Sequence, residues 1–370
     1  MNRTRHLQLR ENPRIVIPIV AGIGNALMAV PLVRQLKRGL PGSRICIVAR
    51  IPPMAQAFER LPEVDEVRLM KPGSLGMGLS MLRFPRPDVC LIPFPSNRWQ
   101  YMMLALAGGT RTRIMHGYPV GRFRTLGFLP AFRVPAVRGL HDVVQNLNLL
   151  RPFGIEPDLS EAPRFIVNDD DRRRAAEMLR PLGIAGDQRS IVIHAGSAHT
   201  PIGAAKRWPP ECYGLLIDAL VHKSGPNIVV LEGPDELGVA DDIRRASTTF
   251  KPPVVALRGP LAEAAAVLER ARLYVGSDSG LAHLAAAVGT PAVTLFAPSD
   301  PDRSCPFGCR HLVVQPRGRS CAPCLLYPFL STCPTVQCKP PLCINDIHID
   351  DVLAAVDRAT ETGTWRRNPG

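Results

Sequence analysis

A polar turn between a predicted strand and a predicted helix gives this chain a candidate phosphate site. In the segment 273–291, a short apolar strand leads into Asp278, Ser279 and Gly280, and a helix of small apolar residues follows until Gly289. Backbone N–H groups and the positive end of a helix dipole at such a turn attract anions. The turn therefore predicts a site for a diphosphate, with an N-cap role for Ser279 as the structural alternative.

Two further turns in the C-terminal half place a charged side chain after a predicted strand. Lys206 comes just before a helix that begins at Pro210, where its ammonium could reach a phosphate. Glu236 follows the strand Asn227–Glu232, and a carboxylate there could accept hydrogen bonds from the hydroxyls of a ribose. A surface lysine, and an acid that complements a helix dipole, are the structural alternatives.

A glycine turn also follows the first predicted strand, at Gly22, Gly24 and Asn25. It begins like a dinucleotide-binding fingerprint, but Leu27 stands at the third glycine position and no acidic residue follows about 20 positions on. The pattern therefore gives only weak support for nicotinamide binding. A tight strand-to-helix turn that needs glycine dihedrals is the structural alternative.

Strand and helix patterns alternate along both halves of the chain. The first half has predicted strands at 14–20, 44–49, 66–70 and 88–92, and helices at 26–40 and 54–60. The second half has strands at 190–195, 227–232, 254–257, 273–276 and 292–296, and helices at 171–182, 210–223, 237–246, 262–270, 279–288 and 349–359. This alternation predicts an α/β fold with two doubly wound parallel sheets, whose ligands lie outside the carboxyl ends of the strands.

The length of 370 residues and a hydrophobic content of 46% predict a globular protein with two domains. A polar stretch around 160–171 places the predicted boundary after residue 165. The second domain is then expected over 166–345, and a C-terminal helix and tail over 346–370 are expected to pack back toward the N-terminal domain. The chain contains neither an apolar run as long as a membrane span nor a secretion-signal pattern, which predicts a cytoplasmic location.

The positive charge of the chain is confined to its first half. Residues 1–160 contain 22 Lys and Arg against 9 Asp and Glu, whereas residues 161–370 contain 23 of each. In the stretch 98–138, arginines alternate with aromatic residues, a pattern that suits lipid headgroups or stacked bases. A solvated arginine-rich surface is the alternative. No known nucleic-acid reader motif is present, so no nucleic-acid partner is expected.

Six of the ten cysteines fall between Cys309 and Cys343. Cys321 and Cys324 form a CxxC pair, and with two of the three later cysteines, such as Cys338 and Cys343, they could hold a structural Zn or Fe ion. Free thiols or a disulfide are the alternatives.

Several of these segments together resemble glycosyltransferase family nine, which includes the ADP-heptose:lipopolysaccharide heptosyltransferases. The resemblance covers almost the whole chain, and its specificity lies in the order and spacing of the pieces rather than in any one of them. The segments that carry it are Gly22–Pro31, His194–Ser197, Lys206–Pro209, Gly233–Glu236, Asp278–His283, Gly289–Pro291 and Leu295–Pro301.

The resemblance implies a GT-B fold: two Rossmann-like domains face a central cleft, with the acceptor in the N-terminal domain and the nucleotide sugar in the C-terminal one. It implies catalytic roles at Asn25, Lys206 and Asp278 and acceptor binding at Gly24 and Asn25. Donor binding is implied at Ser197, Lys206, Glu236, Asp278, Ser279, Gly280 and His283. In this assignment Lys206 contacts the diphosphate, Glu236 the ribose and Asp278 the transferred sugar.

The family resemblance also implies an activity and its partners. It implies inverting transfer of heptose from ADP-heptose to a lipopolysaccharide core or related glycan, with no cofactor for catalysis. The acceptor would be a phosphorylated glycolipid, and the basic N-terminal half would contact the inner membrane from the cytoplasm.

One residue departs from the family pattern. The heptosyltransferases usually carry an aspartate base where Asn25 stands, and an amide cannot accept the proton of the attacking hydroxyl. Another carboxylate could take that proton, or stabilisation of the leaving group could suffice. The alternative is a catalytically impaired relative that binds nucleotide or glycan.

Overall fold

The computed structural model describes most of the chain as two compact units. The described residues are 7–71, 73, 87–118, 123–184, 189–197, 200–225, 227–234, 236, 238–318, 322–324 and 343–361. Contacts divide the chain into Met1–Ile166 and Val167–Gly370, one residue from the predicted boundary. Within the described ranges, no helix is both long and apolar enough to span a bilayer.

The first unit contains a sheet of six parallel strands in the order β3-β2-β1-β4-β5-β6. The strands are β1 Arg14–Ile19, β2 Arg44–Ala49, β3 Glu66–Leu69, β4 Val89–Leu91, β5 Thr112–Gly117 and β6 Phe132–Pro135. Its helices are α1 Ile23–Met28, α2 Val30–Gly39, α3 Pro52–Gln56, α4 Trp99–Ala107 and α5 Asp142–Asn148, followed by a 3-10 turn at Arg151–Phe153.

The first strand and the helices after it show how the sequence builds this unit. In β1, Ile15, Val16 and Ile17 are all buried, as expected for a parallel strand covered on both faces. The helix predicted over 26–40 is two helices, α1 and α2, with Ala29 between them at φ −90° and ψ −10°. Pro31 falls in the first turn of α2, where a missing N–H breaks no helical hydrogen bond.

The second unit contains another sheet of six parallel strands, in the order β12-β11-β10-β7-β8-β9. The strands are β7 Ile191–His194, β8 Ile228–Glu232, β9 Val254–Ala256, β10 Leu273–Ser277, β11 Ala292–Leu295 and β12 Val313–Val314. The helices are α6 Asp169–Leu179, α7 Pro201–Ala204, α8 Pro210–Ser224, α9 Val239–Ala246, α10 Leu261–Glu269, α11 Gly280–Ala287, α12 Pro301–Ser304 and α13 Ile349–Glu361. Single 3-10 turns occur at Arg180–Leu182, Arg310–Leu312 and Cys343–Asp346.

The helix α13 belongs to the core of the second unit. Its Val352 and Val356 are buried in the same cluster as Leu216 of α8 and Leu295 of β11. The predicted packing of the C-terminal helix and tail toward the N-terminal domain stays a prediction.

The α/β class with two doubly wound parallel sheets is confirmed. The elements α4, β5 and β6 lie in the stretch 98–138, for which the sequence indicates only arginines and aromatic residues, and α5 follows it. They complete the first sheet on the β6 side.

Candidate functional site

The turns predicted to bind a donor lie side by side at one edge of the second sheet. The chain passes from β7 outward to β8 and β9 and returns to β10 on the other side of β7, so β7 and β10 flank the switch point. Ligands of doubly wound sheets bind outside the carboxyl ends of the strands at this point. The Ser197 hydroxyl, after β7, donates to the Asp278 carbonyl, after β10, at 3.2 Å.

An ion pair lies at the switch point. The Lys206 Nζ and the Asp278 Oδ2 are 2.6 Å apart. Burial alone would raise the pKa of Asp278, but the Lys206 ammonium, the charge of His283 and a hydrogen bond with Ser299 outweigh it, so the pKa is below its usual value. The Asp278 carboxylate is therefore ionised at neutral pH, and it holds the lysine at the edge of the sheet.

A buried tryptophan and an arginine anchor the segment that carries Lys206. The indole of Trp208 is buried and packs edge-on against Tyr213, with ring centroids 5.1 Å apart. Next to it, the Arg207 guanidinium donates to the Ser197 carbonyl at 2.7 Å. These contacts fix the chain directly after Lys206.

Glu236 lies over the turn that follows β7. Its Oε2 accepts from the His194 Nε2 at 2.9 Å and from the Gly233 N–H at 3.0 Å. A Cβ on Gly196 would stand 1.6 Å from the Glu236 Oε1, so any larger residue there would displace the Glu236 carboxylate. Burial alone would raise the pKa of Glu236, but the hydrogen bond and charge of His194 lower it below its usual value, helped by the Gly233 amide and Arg207.

A chain of hydrogen bonds joins Glu236 to the start of α11. The His194 Nε2 donates to the Glu236 carboxylate, which leaves the ring Nδ1 for a second hydrogen bond. The Tyr274 hydroxyl lies 3.1 Å from that Nδ1 and 3.2 Å from the Ser279 Oγ. Burial raises the pKa of Tyr274 well above its usual value, so this hydroxyl stays protonated.

The hydrogen bonds that join Glu236 to Ser279 do not use the first-turn N–H groups of α11. Ser279 occupies the N-cap position with φ −146° and ψ 168°, but its side chain makes no capping hydrogen bond. Ser279, Gly280 and Leu281 are only half-buried. The first-turn N–H groups of the helix therefore face a part of the surface that an anion can reach. His283, one turn on, is buried.

The equivalent turn of the first sheet carries the predicted acceptor residues. β1 and β4 flank its switch point; Gly24 and Asn25 lie in α1, directly after β1. Gly24 is buried and Asn25 half-buried, and the Asn25 amide makes no side-chain hydrogen bond within the described ranges. Asn146 of α5 ties this edge together by donating to the Met28 carbonyl at 3.1 Å and accepting from the Phe94 N–H at 2.7 Å.

The predicted metal site lies largely outside the described residues. Cys321 and Cys338 lie outside the described residues, and Cys324 and Cys343 are half-buried. The Cys324 N–H donates to the Pro298 carbonyl at 3.1 Å. In the described part of the chain, no three metal-ligating side chains come together.

Doubly wound parallel sheets with an anion-facing turn at the switch point are the architecture of the GT-B glycosyltransferases. Residues 105–330, more than half of the chain, match glycosyltransferase family 9 (heptosyltransferase). The chain therefore belongs to glycosyltransferase family 9, and it is a sugar-transferring enzyme.

Known proteins similar to this chain agree with that assignment. A lipopolysaccharide heptosyltransferase 3 of Escherichia coli is 27% identical over 290 residues, which cover 75% of this chain and 81% of that protein. A family 9 glycosyl transferase from Veillonella parvula DSM 2008 superposes with a TM-score of 0.76 at 20% identity, over 95% of this chain and 97% of the other. The E. coli ADP-heptose lps heptosyltransferase II superposes with a TM-score of 0.69 at 20% identity. The superposition covers 94% of this chain and 99% of the other. The solved structures show the GT-B fold.

The structure adds residues to which the sequence assigned no chemistry. In the sequence, His194 and Gly196 only belong to a segment that resembles the family, and Tyr274 is one position of a buried apolar strand. The pairing of Gly276 with His194 brings β10 alongside β7 and so places the Tyr274 hydroxyl next to the imidazole. A tyrosine in a buried strand that ends in a polar turn was the available signal, since a buried hydroxyl needs a partner.

Proposed function

We propose that this enzyme is an inverting glycosyltransferase that moves heptose from ADP-heptose to a lipopolysaccharide core or related glycan. The observation that carries the proposal is the edge of the second sheet, where three features adjoin. They are an ion-paired lysine, a carboxylate with one oxygen that bonds to none of the described residues, and an open helix start. An ammonium and backbone N–H groups match a diphosphate, and a carboxylate oxygen matches ribose hydroxyls. The names of the similar proteins supply the heptose, the ADP and the lipopolysaccharide.

In the proposed donor complex the diphosphate lies at the start of α11. The N–H groups of Ser279 and Gly280 and the Lys206 ammonium bind it and stabilise the charge that develops when the sugar leaves. The Glu236 Oε1 accepts from the ribose, because Oε2 is already occupied by His194 and Gly233. Asp278 binds the transferred sugar, Ser197 holds the turn in place, and His283 supports it from below.

In the proposed acceptor complex, Gly24 and Asn25 bind the glycan through the first unit. The Asn25 amide orients the attacking hydroxyl without taking its proton, so either another carboxylate is the base or leaving-group stabilisation suffices. The acceptor is a phosphorylated glycolipid, and the basic N-terminal half contacts the inner membrane from its cytoplasmic face. A catalytically impaired binding protein is the competing function, favoured only by the amide at position 25.

A screen against nucleotide sugars tests the proposed function. The purified full-length protein is incubated with ADP-heptose and with sugar nucleotides of other bases, with and without delipidated acceptor, and release of nucleoside diphosphate is followed. Acceptor-dependent release from ADP-heptose is expected. Binding of ADP without any release would favour the impaired relative, and release only from another nucleotide sugar would contradict the donor assignment.

A structural metal is a further part of the proposal. Cys321, Cys324, Cys338 and Cys343 would hold one Zn or Fe ion that braces the C-terminal segment, away from the chemistry. Four thiolates suit either metal. Metal analysis of the purified protein should find about one ion per chain, and a Cys324→Ser/Cys343→Ser variant should lose it. A metal-free wild type that melts at the same temperature after zinc addition would contradict the site.

A further inference from the structure

The exposed apolar side chains of this protein are concentrated in one arginine-rich stretch. Between Asp88 and Asp142 the chain has seven arginines and neither Asp nor Glu. Eleven large apolar side chains are exposed among the described residues, and seven of them lie in this stretch. They are Trp99, Met103, Leu106, Phe123, Phe128, Phe132 and Val137. The second unit contributes only Leu215 to the eleven.

The helix α4 has two apolar faces, of which only one is covered. Met102 and Ala105 are fully buried against the first sheet. Trp99, Met103 and Leu106, at positions i, i+4 and i+7, form a stripe along the exposed side. Trp99 is 49% exposed. Because an exposed apolar stripe of this kind gains nothing in water, it indicates a surface that another phase or molecule covers.

The turn 123–129 adds two aromatic rings to the same side of the sheet. Leu126 and Leu129 pack against the cluster that holds the inner face of α4, while Phe123 is 85% exposed and Phe128 52% exposed. The two phenylalanine rings lie 6.2 Å apart. Leu126 has φ +50°, a rare conformation for a residue with a branched side chain.

Arg133 holds this turn in its unusual conformation. Its guanidinium donates to the Leu126 carbonyl at 3.3 Å and to the Leu129 carbonyl at 3.0 Å. The Arg133 guanidinium therefore stabilises a strained turn that exposes two phenylalanine rings to solvent. A surface loop without a function would not need this conformation.

The exposed arginines of this stretch differ from the other basic residues of the unit. Arg98, Arg111, Arg124 and Arg138 are exposed, and none pairs with a carboxylate in the described part of the chain. By contrast, Arg34 and Arg38 both pair with Glu161, and Lys37 pairs with Asp65 at 2.9 Å. The charge of the four arginines is thus available to an anionic partner.

We propose that the outer face of α4, the turn 123–129 and these four arginines form a docking surface for an anionic phospholipid bilayer. Apolar and aromatic side chains enter the boundary of headgroups and acyl chains while arginines bind lipid phosphates. A second copy of this chain fits poorly, because a two-fold contact would bring the arginines of both copies together. The proposal rests on the proposed function in one respect: a glycolipid acceptor is held in such a bilayer.

Vesicle sedimentation tests the docking surface. Full-length protein is mixed with vesicles of phosphatidylcholine alone or with added phosphatidylglycerol, at low and high salt. The wild type should sediment with the anionic vesicles and be released by salt. Phe123→Ser/Phe128→Ser should lower the partition coefficient about tenfold or more, and Arg111→Gln/Arg124→Gln about fivefold for each charge removed.

Matched substitutions in the second unit serve as controls. Leu215→Ser removes an apolar residue of similar exposure, and Arg173→Gln/Arg245→Gln removes two exposed charges; neither should change the partition. Trp99 fluorescence should shift to shorter wavelength on vesicle binding, and Trp99→Phe should abolish the shift. Equal partition of the wild type and the Phe123→Ser/Phe128→Ser variant would overturn the proposal. The proposal would also be overturned if the wild type bound only vesicles of phosphatidylcholine alone. Self-association through this surface, or binding to an oligonucleotide instead of vesicles, would overturn it as well.

The docking surface and the proposed function fail in distinguishable ways. The Phe123→Ser/Phe128→Ser variant should turn over ADP-heptose with a delipidated acceptor at the wild-type rate, because the surface contains none of the proposed site residues. If the wild type turns over no nucleotide sugar, the proposed function fails. Vesicle binding still tests the docking surface in that case, because it does not depend on activity.

Discussion

At the switch point of the first sheet, the buried and half-buried polar side chains that follow β1 and β4 are Asn25, Ser96 and Asn97, all of them neutral, and the charged Arg98 next to them is exposed. At that of the second sheet, Lys206, Asp278 and Glu236 are held by one another or by His194. The same topology thus carries a neutral edge in one unit and a charged, preorganised edge in the other. A charged edge matches a diphosphate whose negative charge grows as the sugar leaves, and a neutral edge matches uncharged hydroxyls.

The largest expected effect is at Lys206. In Lys206→Ala, kcat for sugar transfer should fall about 100-fold or more, because the developing charge on the diphosphate loses its ammonium. The measurement is coupled detection of ADP release, with Lys223→Ala of α8 as the control.

Loss of Lys206 also leaves the buried Asp278 carboxylate without its ion-pair partner, so the thermal stability of the variant must be measured separately. The variant Lys206→Ala/Asp278→Asn should recover thermal stability relative to Lys206→Ala while staying inactive. If Lys206→Ala keeps turnover within about twofold of the wild type, the second edge is not the site of charge stabilisation.

Two turn glycines compare the edges directly. Gly196→Ala should weaken ADP binding about tenfold or more, because the new Cβ would collide with the Glu236 carboxylate. In Gly22→Ala the nearest atom to the Cβ is the Asn25 Nδ2 at 3.8 Å, an ordinary contact. Calorimetric titration with ADP should therefore separate the two variants. Equal ADP affinities for both would mean that the position of Glu236 does not matter for the donor.

The neutral edge is tested at Asn25. Asn25→Ala should lower acceptor-dependent turnover about tenfold through lost hydrogen bonds to the acceptor. ADP affinity should not change. Steady-state kinetics with varied acceptor, beside the same ADP titration, give both values. Unchanged turnover would remove the acceptor role from this turn.

The smallest effect concerns stability of the second unit alone. Asp218 of α8 accepts hydrogen bonds from Ser247, Thr248 and Thr249. Burial alone would raise its pKa, but these hydrogen bonds hold it well below the usual range. At pH 7, Asp218→Asn should lower the free energy of unfolding by about 1–2 kcal/mol.

The sign of the pH dependence follows from that lowered pKa. The stabilisation by Asp218 is fully present above the unfolded-state pKa of about 3.9 and is lost as the pH falls through the lower folded-state pKa. Denaturant unfolding at neutral and acidic pH should therefore show the difference from wild type shrinking toward low pH. Asp241→Asn, an exposed acid of α9, is the control, and an equal loss for both would contradict the account.

The sequence predicted the charged edge better than the neutral one. Residues that follow parallel strands must meet at one edge, so Lys206, Glu236 and Asp278 could be brought together from spacing alone. The hydrogen bond between His194 and Tyr274 could not be predicted from spacing, because it depends on which strands are neighbours in the sheet. In the first unit, β5 and β6 escaped prediction because each contains an arginine among half-buried or exposed positions and lacks the continuous apolar run of a central strand.

Titration of ADP into three proteins tests the central claim, that the second unit alone holds the nucleotide. The wild type should bind ADP, Lys206→Ala/Glu236→Ala should lose at least about tenfold in affinity, and Asn25→Ala should bind like the wild type. A wild type that binds no ADP would contradict the account. So would an affinity that survives in the double variant and falls in Asn25→Ala.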